Sequence, residues 1–387
     1  MSKYRIKILN GISEVGLERF DEKYTIDGDI ESPDAIVLRS ASLHEMNFPD
    51  TLHSIARAGA GVNNIPVERC SKEGIVVFNT PGANANAVKE LAITALLISS
   101  RKVVEGISWT RTLSGDDVAK HVEAGKSQFT GPEIRNKRLG VIGLGAIGVM
   151  VANAAVNMDM EVYGYDPYIS VDHAWGLSRA VKKASELKKL FKHCDYITLH
   201  VPLNGETKGL LNEEAFSQMK DGVRIINLSR GELVNDDDII AALASGKVST
   251  YLTDFPNEKL LNVPGVIPVP HLGASTPESE NNCAVMAVKQ TTDFLENGNI
   301  KNSVNFPDCN MGLSTYHHRL TVVHKNVPKM LGQISAVLSE QGVNIANMMN
   351  KSRGDYAYTM VDLETEITED SVKRINDIEG TLKVRVI

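Results

Sequence analysis

LGVIGLGAIG, residues 139–148, is the stretch on which the fold turns. It spaces Gly143, Gly145 and Gly148 as G-x-G-x-x-G between an apolar run that reads as a strand and an amphipathic run that reads as a helix. The first glycine permits a tight turn, the second lets a backbone approach a pyrophosphate, and the third lets the helix pack closely on the strand. The helix N-terminus then presents N–H groups and a positive dipole end to an anion. A second strand, EVYGYD (161–166), ends in Asp166. A carboxylate there accepts hydrogen bonds from ribose hydroxyls and repels a 2′-phosphate, so the expected cofactor is NAD rather than NADP.

Working outward, YRIKILN, DAIVLRS and GIVVFN read as strands separated by helix and turn signals, the grammar of a parallel sheet with crossover helices. A long helix is expected over about 86–108, and the polar stretch 113–131 carries no assignable pattern. After residue 139 the runs LGVIG, EVYGYD, YITLHVP, VRIINLS, STYLTDF and GVIPVPH read as a second set of strands. Another helix covers about 278–296, and the turn-rich segment 297–312 reads as a linker. The remainder reads strand, helix, strand, strand, helix, strand, a ferredoxin-like βαββαβ unit. The fold class is therefore α/β: two doubly wound, Rossmann-like or flavodoxin-like domains and a small C-terminal βαββαβ domain.

Composition narrows the function. Of 387 residues, 42% are hydrophobic, enough for large cores. The net charge of -7 argues against a nucleic-acid or anionic-membrane surface. The N-terminus lacks the apolar core of a signal peptide, and no apolar run reaches membrane-spanning length, so a cytoplasmic location is expected. Cys70, Cys194, Cys283 and Cys309 are widely spaced and read as free thiols. No metal is expected: Asp236, Asp237 and Asp238 read as helix-start residues beside Asn235. The tandem His317-His318 would point to opposite faces of a strand and could not share a metal.

Three residues at predicted strand ends are candidates for moving a proton and holding an acid while a hydride is exchanged with the cofactor. Arg230 follows VRIINLS, and its planar guanidinium can grip a carboxylate together with a neighbouring oxygen. His271 ends GVIPVPH and can exchange a proton near neutrality. Glu258, in TDFPNEK, is the candidate carboxylate to orient His271 and raise its pKa. His200, in LHVPL, ends a strand near the expected cofactor crevice.

RAGAGVNNI, GLGAIG, GYDP, LHVPL, NLSRGELV and PHLGAST, in this order, resemble the D-isomer-specific 2-hydroxyacid dehydrogenases, from residue 1 to about 305. The resemblance implies a substrate domain from residues 1–85 and 276–308, an NAD domain from 86–275, and a cleft between them. It implies catalytic roles for Arg230, Glu258 and His271. It implies cofactor contacts from Gly143, Gly145, Ala146, Ile147, Gly148, Asp166, His200, Val201, Pro202, Thr207, Leu228, Ser229, Asp254, Gly273 and Ala274. IVLRSAS and IARAGAG further resemble members acting on a phosphorylated 2-hydroxy acid. Arg39, Ser40 and Arg57 are then expected at the phosphate, and the N–H groups of Gly59, Ala60 and Gly61 at the carboxylate.

Residues 315–387 resemble an ACT regulatory domain. HKNVP and QGVNI give His324, Asn326 and Asn344 as candidate contacts to an L-serine effector. The first strand's end and the second's start are expected to converge there, and the edge strands or the bare sheet face to pair with a second subunit in a homodimer or homotetramer. Three departures stand out. The loop Asp254–Lys259 is one residue short and lacks its final proline, Lys329 stands where a glycine is expected after Pro328, and Gly131 lacks a preceding Gly-x-Trp. Other substrates of the same fold, such as glyoxylate or hydroxypyruvate, and an NAD-sensing binding role stay open.

Overall fold

The computed structural model describes residues 4–314, 316 and 318–387; His317 lies outside the described residues. Contacts divide the chain into two units, Met1–Asn84 with Pro277–Ile387, and Ala85–Thr276.

The first unit opens with β1 (Tyr4–Leu9), β2 (Tyr24–Asp27), β3 (Ala35–Leu38), β4 (Ser54–Arg57) and β5 (Val76–Phe78). They form a parallel sheet in the order β2-β1-β3-β4-β5, the flavodoxin-like order. All four residues of β3, Ala-Ile-Val-Leu, are buried, as a central strand covered on both faces requires. Helix Pro277–Asn297 returns to this unit and packs Ala284 against Gly16, where a side chain would collide.

The second unit holds β6 (Arg138–Ile142), β7 (Glu161–Tyr165), β8 (Lys182–Lys183), β9 (Tyr196–Leu199), β10 (Val223–Asn227), β11 (Val248–Thr253) and β12 (Val266–Pro268). Their order, β12-β11-β10-β9-β6-β7-β8, is all parallel. It reverses direction at β6, between β7 and β9, the switch point where ligands bind in open α/β sheets.

The helix expected over about 86–108 is two helices, Ala85–Arg101 and Val103–Thr110, broken where Lys102 takes φ 46°. The Ser99 and Ser100 hydroxyls both bond back to the Leu96 carbonyl, and Arg224 takes the Ser99 carbonyl, so the last turn is already pulled out of register. The stretch 113–131 contains helix Val118–Gly125 and a 3-10 turn, Lys126–Phe129. Neither buries a residue, which is why no apolar period marks them.

The chain ends with β13 (His318–Lys325), β14 (Ile345–Arg353), β15 (Tyr356–Leu363) and β16 (Thr381–Val386), an antiparallel sheet ordered β14-β15-β13-β16. Leu320, Val322 and Val361 pack under helices Met330–Glu340 and Glu369–Asn376 with Ile334, Leu338 and Ile375. Of the two expected ways of pairing with another subunit, the sheet face is not free for it. Val323, Tyr358 and Met360 share a core with Tyr4, Phe78 and Phe294 of the same chain. Polar groups reinforce this seam at the C-terminal end of helix Pro277–Asn297, whose last carbonyls lack partners within the helix. Arg385 donates to the carbonyls of Phe294 and Leu295, Arg319 to that of Asn297, and the Tyr358 hydroxyl to that of Gly298. Cations there also complement the helix dipole.

Candidate active site

The glycine turn follows β6 directly. Gly143 has φ 91°, a left-handed backbone that favours glycine, and a side chain there would strike the His200 carbonyl. A side chain at Gly148 would strike the Gly143 carbonyl, so the helix Ala146–Asn157 could not lie this close to the strand. Gly145, by contrast, faces open space. Two glycines permit the fold, and the middle one leaves room for a ligand's phosphates against the backbone, together with Ala146 and Ile147 at the helix start.

Asp166 follows β7. Its Oδ2 accepts from the Leu144 N–H at 2.8 Å and its Oδ1 from the Tyr168 N–H at 2.8 Å. Each carboxylate oxygen keeps a further lone pair. His200 follows β9 on the other side of the turn, with Nε2 3.0 Å from the Thr198 hydroxyl and Nδ1 buried without a partner. Burial lowers its pKa to about 4. Val201 and Pro202 follow, and the Thr207 hydroxyl closes that loop onto the Pro202 carbonyl at 2.6 Å. After β10, Leu228 is buried and the Ser229 hydroxyl donates to the Leu199 carbonyl at 2.7 Å.

Arg230 and His271 are brought together around one ring. The Arg230 guanidinium lies 5.9 Å from the Phe255 centroid, and the His271 ring lies 4.5 Å from it. Both residues are exposed within this unit. Beneath them sits Asp254, 1% exposed, with neither carboxylate oxygen hydrogen-bonded by the geometry of its neighbours. Burial raises its pKa, and the nearby His271 and Arg230 oppose that rise. Gly273 passes beside it, where a Cβ would stand 3.5 Å from Asp254 Oδ2, and Ala274 follows.

Glu258 does not meet His271. It is exposed, and no hydrogen bond or ion pair links the two among the described residues. The short loop explains why. Asn257 is tied to Asp236 at 2.7 Å and Lys259 to Asp237 at 2.7 Å, so both neighbours of Glu258 lean on the start of helix Asp236–Ala244. Asn235 caps that helix by accepting from the N–H groups of Asp237 and Asp238, and the three aspartates stand in its first turn. Sequence reasoning missed Phe255, the residue that packs on both Arg230 and His271; its place next to Asp254 was the available signal.

The phosphate and carboxylate candidates lie in the first unit, at the ends of β3 and β4. Arg57 Nε donates to the Arg39 carbonyl at 2.9 Å, and its Nη1 donates to the Gly61 carbonyl. Part of this guanidinium therefore shapes the loop. The Gly59 N–H is already given to the Arg57 carbonyl at 2.9 Å, so the expected run of three donors is reduced. Ala60 and Gly61 donate to no acceptor among the described residues. Ser40 is exposed and held through its N–H by Asn10. The Arg39 guanidinium pairs with Glu280 at 2.8 Å.

The effector candidates do not converge. His324 is 2% exposed, with Nδ1 2.7 Å from the Lys325 carbonyl and Nε2 2.9 Å from the Thr359 hydroxyl. Asn326 donates to the Gly354 carbonyl, at the same end of the sheet. Asn344 donates to Glu364, beyond the far end of β15. Strands joined through a helix run the same way here, so the end of β13 and the start of β14 face opposite directions. Lys329 takes φ 72°, the left-handed backbone that a glycine would adopt without strain.

Residues 93–273 match the family described as D-isomer specific 2-hydroxyacid dehydrogenase, NAD binding domain. The chain belongs to this family and is an NAD-dependent oxidoreductase. Its relatives include the D-3-phosphoglycerate dehydrogenase of Escherichia coli (strain K12), 30% identical over 88% of this chain and 83% of that protein. That of Haemophilus influenzae is 28% identical over 100% of this chain and 98% of its own length. That of Methanocaldococcus jannaschii is 34% identical over 78% of this chain; the match spans only 57% of the archaeal protein. Among solved structures, an NAD+-bound 3-phosphoglycerate dehydrogenase from Entamoeba histolytica is 26% identical with a TM-score of 0.60, covering 79% of this chain and 99% of that one. A glyoxylate/hydroxypyruvate reductase from Sinorhizobium meliloti, 22% identical over 78% of this chain and 97% of that one, shares the fold at a TM-score of 0.66.

Two half-buried histidines give this protein a defined acid response. His200 is held at about 4 and His53, half-buried beside Arg385 and Lys383, at about 3. Both are neutral in the fold, whereas an unfolded imidazole takes a proton near pH 6.5. The unfolded chain thus binds more protons below pH 6.5, and stability falls as pH falls, by up to about 1.4 kcal/mol per pH unit for each histidine. Urea denaturation between pH 7 and 5 should show this slope, and His53→Gln should flatten it. A flat profile in the unmodified protein would mean that neither histidine is buried neutral.

Proposed function

We propose that this chain oxidises the C2 hydroxyl of D-3-phosphoglycerate to give 3-phosphohydroxypyruvate, the first step of L-serine formation. The observation that carries the reading is the match over nearly the whole length to proteins of that name. It is supported by cations beyond the one that a simple hydroxy acid requires: Arg39 and Arg57 in addition to Arg230.

The glycine turn fits a dinucleotide, with open space at Gly145, Asp166 in reach of ribose hydroxyls, and a buried Asp254 carboxylate lacking a donor that a carboxamide would supply. NAD supplies the hydride acceptor. Arg230 binds the substrate carboxylate and the C2 oxygen, and stabilises negative charge growing on that oxygen. His271 takes the hydroxyl proton as the C2 hydride leaves, and returns a proton in the reverse direction. Phe255 limits the motion of both side chains. Ala60 and Gly61 offer N–H donors to an anion, and Arg39 binds the phosphate while Arg57 braces the loop.

Charge-assisted hydrogen bonds to phosphate contribute roughly 1.5–3 kcal/mol. Arg39→Ala should therefore raise KM for D-3-phosphoglycerate by about ten- to a hundredfold, with little change for an unphosphorylated 2-hydroxy acid. A substrate panel read by NADH absorbance tests both function and role. No turnover of phosphoglycerate, with turnover of glyoxylate or hydroxypyruvate, would replace this reading with the reductase one.

Among the described residues no helix is long and apolar enough to cross a membrane. A cytoplasmic homo-oligomer is proposed, supported by the largely exposed edge strand β14 and by the exposed Val103, Val104 and Ile107. L-serine remains the proposed effector of the C-terminal sheet. His324 and Asn344 stand at opposite ends of that sheet, so one serine could meet both only if two chains contributed.

A further inference from the structure

We infer that Glu280 is an intramolecular competitor for the cation that binds the substrate phosphate, so that opening the Arg39–Glu280 pair is a step of substrate binding; this rests on the reading of Arg39 given above. Two independent anchors hold the two partners in register. Arg39 follows β3, and its carbonyl is fixed by Arg57 Nε at 2.9 Å. Glu280 stands in the first turn of helix Pro277–Asn297, flanked by buried Ser279 and by Asn281, which accepts from the Ser13 hydroxyl. One turn further, Ala284 is locked against Gly16, where no side chain fits. The backbone under each side chain is thus rigid, and the guanidinium meets the carboxylate at 2.8 Å.

The pair is about 43% and 44% exposed at its side chains. Such pairs are weak and exchange readily with solvent and with other anions. A phosphate dianion can therefore displace Glu280, but it does so against a carboxylate that is always present at high local concentration. The pair keeps Arg39 oriented while empty, lowers its affinity for every phosphate by the same factor, and so keeps free inorganic phosphate off the site. A substrate with further anchoring groups tolerates that loss; inorganic phosphate has none.

Glu280→Gln removes the competitor and keeps the shape. On the full-length protein it should lower KM for D-3-phosphoglycerate, and the inhibition constant of inorganic phosphate against it, each by about three- to tenfold, with kcat and KM for NAD unchanged. The effect should vanish in an Arg39→Ala background, because nothing is left to compete for. An exposed position makes misfolding of this variant easy to check by its melting temperature, expected to be unchanged. If Arg39→Ala raises KM for phosphoglycerate but Glu280→Gln leaves KM and phosphate inhibition where they were, or raises them, the competition is absent and the phosphate reading of Arg39 stands. If Arg39→Ala leaves both constants unchanged, the phosphate reading fails and the competition fails with it.

Discussion

Replacing His271 by alanine lowers kcat by roughly 10²–10⁴, the usual contribution of a positioned general acid–base. The loss should fall on kcat, with KM for NAD little changed, because the glycine turn, Asp166 and Asp254 are untouched. The side chain ends the loop after β12 and rests on Phe255 at 4.5 Å, with no hydrogen-bond partner among the described residues. Its orientation is therefore set by packing. Phe255→Ala should consequently reduce kcat too, by less, while Glu258→Gln should have the smallest effect of the three. Steady-state kinetics on these variants separate the roles. Near-normal turnover in His271→Ala would remove the proton-transfer assignment; a loss in Glu258→Gln equal to that of His271→Ala would mean that the loop rearranges on binding to bring the carboxylate in.

Asp362→Ala should destabilise the protein by about 3–5 kcal/mol, the penalty of leaving a buried charge without its partner. Arg319 is 1% exposed, and its Nε lies 2.6 Å from Asp362 Oδ1, with a second bond from Nη2 to Oδ2 at 3.2 Å. The remaining guanidinium nitrogen serves the carbonyls of Asn297 and Gly312 at 2.8 and 2.9 Å. One ion pair thus joins β13 and β15 to the end of helix Pro277–Asn297 and to the segment after it. Asp362→Asn, which keeps an acceptor, should lose less. Denaturant unfolding of the three proteins measures the difference, and a loss below about 1 kcal/mol for Asp362→Ala would show that water reaches the guanidinium.

Much of the fold was legible because its signals are local. The three glycines announce themselves by spacing, and each has a distinct steric reason in the structure: a positive φ at Gly143, open space at Gly145, a close approach at Gly148. The same holds for β3, whose apolar run must be covered on both faces. What could not be read depends on partners far away in sequence. The break at Lys102 follows a turn whose carbonyls accept from Arg224 and two serine hydroxyls, and helix Val118–Gly125 has no buried face to print a period. Glu258 was sought beside His271 because a carboxylate often is; the bonds from Asn257 and Lys259 to Asp236 and Asp237 turn the loop elsewhere. Arg39 and Arg57 looked alike in sequence, yet one faces Glu280 and the other binds backbone carbonyls. The separation of His324 from Asn344, by contrast, is legible. Two strands joined through a helix in this unit run in the same direction, and the sequence order already implied it.

The sheet that closes over Tyr4, Phe78 and Phe294 has a consequence for how the chain is made. The second unit is one continuous segment and can fold while the rest is still being translated. The first unit is assembled from two segments separated by the whole of the second, and β16 carries the arginine that donates to the carbonyls at the end of helix Pro277–Asn297. Until β13 and β15 have been made, the apolar face that Val323, Tyr358 and Met360 cover stays open to solvent and to chaperones. β1 therefore waits for strands that follow the whole of the second unit, and a nascent chain stalled before β13 would display a ready-made sheet with its sticky side bare.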